Sequence, residues 1–331
     1  MESGRIVVVG ASAGGVRALQ ILAAGLPAGF PAPLLVVQHV GNYPSILPRL
    51  IARSGPLPAA HAADGEAIRP GHIHVAPPDH HMLVEDGRIR LSRGPKEQHA
   101  RPAIDPLFRS AALAWRARAI GVLLTGLLDD GTAGLQAIKR CGGIAVVQDP
   151  EDAEAPSMPS SALRYVEVDH SAPLDAIGAL LTQLVSRAPA PVGAAGGAER
   201  EMRENEIMLG KGDFMEHLKS IGKPSTFVCP ECDGALWEIE GSKPRSFRCH
   251  TGHAFSLRNL QHAQSEAADD ALWSAFRALQ EKEVLLRDLA ESQAAADAAG
   301  EAQRLRDEAE RTAQHARTLR ALIEAVPSPP E

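Results

Sequence analysis

Aromatic residues are scarce in this 331-residue chain: they make up 4% of it, with three Trp, two Tyr and seven Phe. Any core must therefore be built from Ala, Val, Leu and Ile. Cysteine is scarcer still, at four residues, which excludes a disulfide scaffold for a chain of this length. No apolar run approaches the roughly 18 residues a membrane span needs. The segment from Met1 to Arg5 lacks the basic-then-apolar pattern of a signal peptide, so a cytoplasmic location is expected. Excess positive charge is also lacking. The net charge is −7, and nothing argues for a nucleic-acid partner, which usually meets a basic face.

What is present fits a globular protein of about two domains: 44% hydrophobic and 23% charged residues. The charge is unevenly placed. Residues 1–198 carry 17 basic and 17 acidic side chains, whereas residues 199–331 carry 17 and 24. Two modules with separate tasks are implied, and the stretch from Arg187 to Ala198, RAPAPVGAAGGA, has the composition of a linker. Before it, short apolar β-branched runs (Ile6–Val9, Leu34–Val37, Ile120–Leu124 and Ile144–Val147) alternate with helix-like stretches at Val16–Ala24 and Ala133–Arg140. Apolar runs bounded by Gly and followed by helices predict a doubly wound α/β fold with a mainly parallel sheet buried on both faces. His72–Val75 and the segment from His80 to Leu91 read as added strands, with a hairpin turn at Glu85–Arg88.

The first run feeds into Gly10-Ala11-Ser12-Ala13-Gly14-Gly15. This is neither GxGxxG nor a phosphate loop with its Lys, which argues against nucleotide binding. Nor is it the GxSxG turn of the large esterase superfamily. Ser12 lies at the carboxyl end of a strand, where open α/β sheets place their ligands. It is either a helix N-cap or an exposed nucleophile beside helix amides. The second run ends in Gln38-His39. The third element, Leu123 to Gly134, runs from an apolar strand into a Gly-flanked acidic turn, where Asp129 or Asp130 could cap a helix, bind a metal or orient His39. Each residue alone has a bland explanation. Together a serine, a histidine and an aspartate fall on one rim of the sheet, as a nucleophile, its base and the base's orienter require.

GASAGG, the QH after the second strand and TGLLDDGTAG resemble the catalytic domain of the chemotaxis protein-glutamate methylesterase family. Arg101–Phe108 and the segment around Met158–Ala162 carry the same likeness, which covers about residues 5–185. The resemblance implies hydrolysis of glutamyl methyl esters on chemoreceptor-like proteins, deamidation of receptor glutamines as a second activity, and no cofactor for catalysis. It also implies Ser12 as nucleophile, His39 as base and Asp130, the acid directly before Gly131, as the orienting carboxylate. The backbone amides of His39 and Leu127 are the implied oxyanion donors. Ala13 stands where some relatives have Thr, so a side-chain donor there is lost. With the first strand starting near residue 5, the phospho-accepting receiver domain that precedes this catalytic domain in the chemotaxis enzyme is not expected here. Neither is control through it. A non-catalytic scaffold that recruits signalling partners is the rival reading.

Past the linker, Cys229-Pro230-Glu231-Cys232 is followed, after 16 residues, by Cys249-His250-Thr251-Gly252-His253. Two ligand pairs on tight turns match tetrahedral zinc better than a redox CxxC. The expected set is Cys229, Cys232, Cys249 and His253, with His250 as the alternative fourth ligand. Four protein ligands make the metal structural. Cys141 reads as a buried thiol. From about Gln261 to Ala325, Leu272, Phe276, Leu279, Leu286 and Leu289 form an amphipathic seam. The pattern dissolves at Ala294–Gly300, so a helical hairpin is expected. It is either an internal structural element or a docking site for a receptor, a methyltransferase or a regulator. The expected divisions are residues 1–187 (catalytic), 188–224 (linker), 225–258 (zinc-ribbon-like) and 259–326 (helical hairpin).

Overall fold

The computed structural model describes residues 4–41, 43–189, 198–296 and 298–325, and the counts of elements refer to these. Residues 190–197 of the expected linker and residue 326 of the expected hairpin lie outside them. The chain forms two compact units, divided between Leu260 and Gln261.

The first unit begins with β1 (Ile6–Ala11), α1 (Gly15–Ala24), β2 (Leu34–Gln38), α2 (Leu47–Ser54), β3 (Ala59–His61) and β4 (Ile73–Val75). A hairpin follows, β5 (His81–Glu85) and β6 (Arg88–Ser92). It turns through Asp86 and Gly87, both at positive φ, as a two-residue turn of matching twist requires. Next come α3 (Ile104–Trp115), β7 (Ala119–Leu123), α4 (Thr132–Arg140), β8 (Ile144–Gln148), α5 (Ser157–Tyr165), β9 (His170–Ala172) and α6 (Leu174–Ser186).

Seven strands pair in the order β3-β4-β2-β1-β7-β8-β9, and every pairing is parallel. The central strands are apolar throughout because each face has its own core. Ile6 and Val8 of β1 join Leu35, Val37, Leu123 and the side chains of α3 on one side. Val7 and Val9 join Leu34, Val36, Val122 and the side chains of α1 and α6 on the other. The order reverses beside β1. The chain first builds outward through β2 and β4, then returns to add β7 on the opposite edge of β1. A crevice outside the carboxyl ends of the strands at such a reversal is the general ligand position of open α/β sheets.

Residues 188–224 are not a linker throughout. Glu199–Leu209 form α7 and Phe214–Ile221 form α8. The sequence of α7, EREMRENEIML, is too polar to show a helical stripe, because ion pairs anchor its first turns and apolar side chains only its end. Glu201 is buried between Arg140 and Arg200, and Glu204 meets Arg248 at 3.2 Å. A small core of Ile207, Leu218, Ile221 and Ile239 packs both helices onto the next sheet. That sheet is antiparallel: β10 (Gly222–Val228), β11 (Ala235–Ile239), β12 (Ser246–Cys249) and β13 (Ala254–Ser256). It starts three residues before the expected boundary. Among the described residues, no helix is long and apolar enough to cross a membrane.

The helix α9 (Leu257–Ala295) carries the chain into the second unit, which continues in α10 (Ala299–Ala325). The break falls where the pattern dissolves, and the two helices are tied by Lys282 and Glu308 at 2.9 Å. Along α9 the less exposed face runs Leu272, Phe276, Leu279, Glu283, Leu286 and Ala290, alternating steps of four and three. Leu289 is not on it. It is 50% exposed, and the adjacent Ala290 takes the seam position because the helical period favours it.

Candidate active site

Three loops at the carboxyl rim bring Ser12, His39 and Asp130 together. Ser12 directly follows β1, His39 follows β2, and Asp130 lies in the turn between β7 and α4. Nδ1 of His39 lies 3.1 Å from Ser12 Oγ, and its Nε2 lies 2.7 Å from Asp130 Oδ2. An ionised carboxylate only accepts, so Nε2 carries the proton and donates to Asp130. This leaves the Nδ1 lone pair to accept from the Ser12 hydroxyl. The imidazole side chain is 23% exposed, whereas that of Asp130 is 3% exposed. The imidazole is reachable from solvent and the carboxylate is shielded.

Ser12 does not cap α1. That helix starts at Gly15, its N-cap is Gly14, and no side chain caps it. The hydroxyl is therefore free to face His39. The backbone around it is fixed by a residue the sequence reading passed over: Gln38 Nε2 donates to the carbonyls of Ser12 (2.8 Å) and His39 (3.0 Å), clamping the two loops together. The β7 loop approaches just as closely. A Cβ on Gly126 would lie 2.9 Å from Ser12 Cβ, so a side chain there would displace the serine. Thr125 Oγ1 donates to the Ala13 carbonyl at 2.9 Å. A cavity of about 480 Å3 opens beside the same turn, bounded by Gly14, Arg17, Thr125, Gln148 and Glu154.

Asp130 is held by the start of α3. Its carboxylate accepts from the amides of Ile104 (2.7 Å), Asp105 (3.1 Å) and Gly131 (2.8 Å). Two of these are unpaired first-turn donors at the positive end of a helix. Gly131, the N-cap of α4, has φ 87°, a left-handed conformation that glycine adopts without strain. The α3 start is itself pinned by buried His81, whose Nδ1 accepts from the Ala103 amide at 3.2 Å and whose Nε2 donates to the Pro95 carbonyl at 3.0 Å. Burial pushes the His81 imidazole down to about 4, which keeps Nδ1 an acceptor at neutral pH. Asp105, buried beside Asp130, is pushed well above the usual carboxylate range by burial and then by repulsion from Asp130.

Asp129 faces away from His39. Its Oδ1 accepts from Ser256 Oγ at 2.7 Å and from Asn259 Nδ2, both on the ribbon side of the unit. Of the two expected oxyanion donors, the His39 amide is already used, donating to the Ala11 carbonyl at 3.2 Å as the sheet ladder ends. The Leu127 amide makes no hydrogen bond among the described residues.

The four predicted metal-binding residues also converge. One ligand atom from each of Cys229, Cys232, Cys249 and His253 fits within a span of 4.8 Å. The Cys232–Cys249 sulfurs are 3.7 Å apart, and His253 Nδ1 lies 3.6 Å from Cys249 Sγ and 3.7 Å from Cys229 Sγ. Sulfurs about 2.3 Å from a tetrahedral zinc stand close to these separations from one another. His250 is exposed and outside the cluster. Cys141 is buried elsewhere, at the end of α4.

The family model described as CheB methylesterase matches residues 7–181. A Leptospira interrogans protein described by the paired methylesterase and glutaminase activities is 38% identical over 180 residues, which are 54% of this chain and 93% of that one. The protein-glutamate methylesterase/protein-glutamine glutaminase 3 of Anaeromyxobacter dehalogenans is 45% identical over 162 residues, 48% of this chain and 47% of that one. The crystal structure of the Thermotoga maritima CheB methylesterase catalytic domain is 34% identical, with a TM-score of 0.53. That match covers 56% of this chain and all of that one.

Proposed function

Since this chain belongs to the CheB methylesterase family, we propose that it hydrolyses glutamyl methyl esters on chemoreceptor-like proteins in the cytoplasm, using Ser12, His39 and Asp130. It also deamidates receptor glutamines, the second activity in its relatives' names. The observation that carries this reading is the unbroken chain of hydrogen bonds from Ser12 Oγ through His39 to Asp130.

The steps follow from that geometry. His39 Nδ1 takes the hydroxyl proton as Ser12 Oγ attacks the ester carbonyl carbon. Asp130 holds the ring in the required tautomer and stabilises the imidazolium that forms. The Leu127 amide, which makes no hydrogen bond among the described residues, is the donor proposed for the developing oxyanion. When the C–OCH3 bond breaks, His39 returns the proton and methanol departs. Water, deprotonated by the same nitrogen, then releases the glutamate carboxylate and restores Ser12. For a glutamine the leaving group is ammonia.

The residues present suit a structural zinc at Cys229, Cys232, Cys249 and His253: three thiolates and an imidazole close the coordination sphere. Bound there, zinc supplies folding free energy to a small sheet and takes no part in the reaction. The second unit is proposed to dock a receptor, a methyltransferase or a regulator.

The test is methanol release from methylated receptor. Wild type should release it and Ser12→Ala should not, while both give the same circular dichroism. Release by the folded Ser12→Ala protein at the wild-type rate would refute the assignment.

A further inference from the structure

We propose that Ser256 and Asn259, at the junction of β13 and α9, are positioning residues for the esterase site: they hold the Asp129 carboxylate and so fix the acidic turn that carries Asp130. The proposal rests on the reading of Ser12, His39 and Asp130 given above.

The ribbon is seated on the catalytic sheet by main chain and by charge. Residues 96–98 run along the exposed edge of β13, with the Ala254 amide donating to the Lys96 carbonyl (3.2 Å) and the Gln98 amide to the Ala254 carbonyl (2.7 Å). Beside them, the buried Glu97 carboxylate bridges Arg109 of α3 (2.8 Å) and Arg248 of β12 (2.9 Å). α3 is the helix whose first amides hold Asp130. Gln98 extends the link: its Oε1 accepts from the Ser256 amide (2.8 Å) and its Nε2 donates to Asp105 (3.2 Å), adjacent to the amides on Asp130.

The last contact is with the acidic turn. Ser256 Oγ and Asn259 Nδ2 both donate to Asp129 Oδ1, and Ser256 Oγ also accepts from the Asn259 amide at 3.0 Å. Asp129, Ser256 and Asn259 are each 3% exposed or less. An ionised carboxylate so buried must have donors, and these two come from the end of β13 and the first turn of α9. Asp129 and Asp130 share a peptide unit, so a main-chain shift that brings an unpaired Asp129 carboxylate from its buried position to solvent moves the backbone of Asp130. Asp130 has little room for such movement, because its oxygens are already shared among three amides and His39. A displacement near 1 Å at such a site can cost about a hundredfold in rate.

The test uses the full-length protein and two readouts. One is methanol release from methylated receptor. The other is the rate of covalent labelling of Ser12 by a fluorophosphonate probe, which needs no knowledge of the substrate. Asn259→Ala should lower kcat about 10- to 100-fold, with KM within about threefold, and should slow labelling by a similar factor. Ser256→Ala, which leaves the amide donor, should show a smaller loss in the same direction. The exchange Asp129→Asn with Asn259→Asp restores a carboxylate–amide pair in reversed order. It should recover most of the rate that the single Asn259→Asp change loses, a coupling that a role in stability alone does not produce.

If folded Asn259→Ala and Ser256→Ala label and turn over at the wild-type rate, the proposal is overturned. The same holds if the exchange is no better than the single change. If Asn259→Ala does not fold, the Ser256→Ala and exchange proteins decide. Failure of the parent reading is distinct from either result: wild type would neither label at Ser12 nor release methanol.

Discussion

The two sheets of the first unit are stabilised by opposite means. The parallel sheet has a deep apolar layer on each face, and its central strands are fully buried. The ribbon sheet has few buried apolar side chains, chiefly Leu236, Phe247 and Phe255. It has instead a cluster of three cysteines and a histidine and a buried ion pair between Glu97 and Arg248. The first kind of core frees strand ends to carry reactive groups without contributing to stability. The second spends its polar groups on holding the ribbon against its neighbour. The contrast teaches that two sheets stabilised in different ways meet at two adjacent aspartates: Asp130 faces His39, and Asp129 faces Ser256 and Asn259.

The sharpest break of the comparison is at the rim. Ser12→Ala should reduce methanol release by about 10^4- to 10^6-fold, with little change in stability, since the hydroxyl lies on the rim and, among the described residues, is bonded only to His39. Asp130→Asn should cost roughly 10^4-fold, because the amide would favour the wrong histidine tautomer.

The next prediction separates the two cores. Removing the metal with a strong chelator, or changing Cys249→Ser, should melt the ribbon in a separate low-temperature transition while the parallel sheet keeps its own. Metal analysis of protein purified without chelator should find one zinc per chain. A single unchanged transition after chelation would contradict a metal-dependent core.

The ion link comes third. Burial opposes the charge on Glu97, but Arg109 and Arg248 outweigh it and hold its carboxyl down to about 2. A depressed carboxyl contributes stability above its unfolded pKa of about 4.5, and that contribution is lost as pH falls from there toward 2. Glu97→Gln should therefore destabilise the first unit by about 3 kcal/mol at pH 7, with the difference shrinking below pH 4.5 in denaturant titrations. A difference independent of pH would mean that the carboxylate is not the bridging charge. The smallest effect is expected from His250→Ala, which should leave zinc content and activity within about twofold, since that ring lies outside the ligand cluster. Loss of zinc there would exchange the roles of His250 and His253.

Much of this was legible in the sequence, for definite reasons. The central strands announced themselves as apolar runs because both faces of a parallel sheet are buried. Ser12 and His39 could be placed because each directly follows such a run, Asp130 because it sits in a Gly-flanked acidic turn after one, and the cysteine spacing indicated the cluster of Cys229, Cys232, Cys249 and His253. The helix α3 was not legible. Nine of its twelve residues are buried, so no polar face betrays a helical period, although its amides are what hold Asp130. For α7 the reverse holds: ion pairs replace the apolar stripe. Gln38 and His81 were missed because their work is done on backbone atoms that only the folded chain brings near. The resemblance separated Asp130 from Asp129, and in the structure the two acids have different partners: Asp130 meets His39 and the amides of α3, Asp129 meets Ser256 and Asn259. The structure also removes the His39 amide as an oxyanion donor, a use of the ladder bond that residue identity alone does not reveal.

The central claim is that Ser12 becomes covalently acylated during turnover. Its most direct test is mass spectrometry of enzyme quenched in acid while hydrolysing a glutamyl methyl ester peptide. The account predicts a glutamyl adduct on the peptide containing Ser12, formed as methanol appears and absent from Ser12→Ala. Steady methanol release by wild type with the adduct on another residue, or undiminished release by Ser12→Ala, would contradict it.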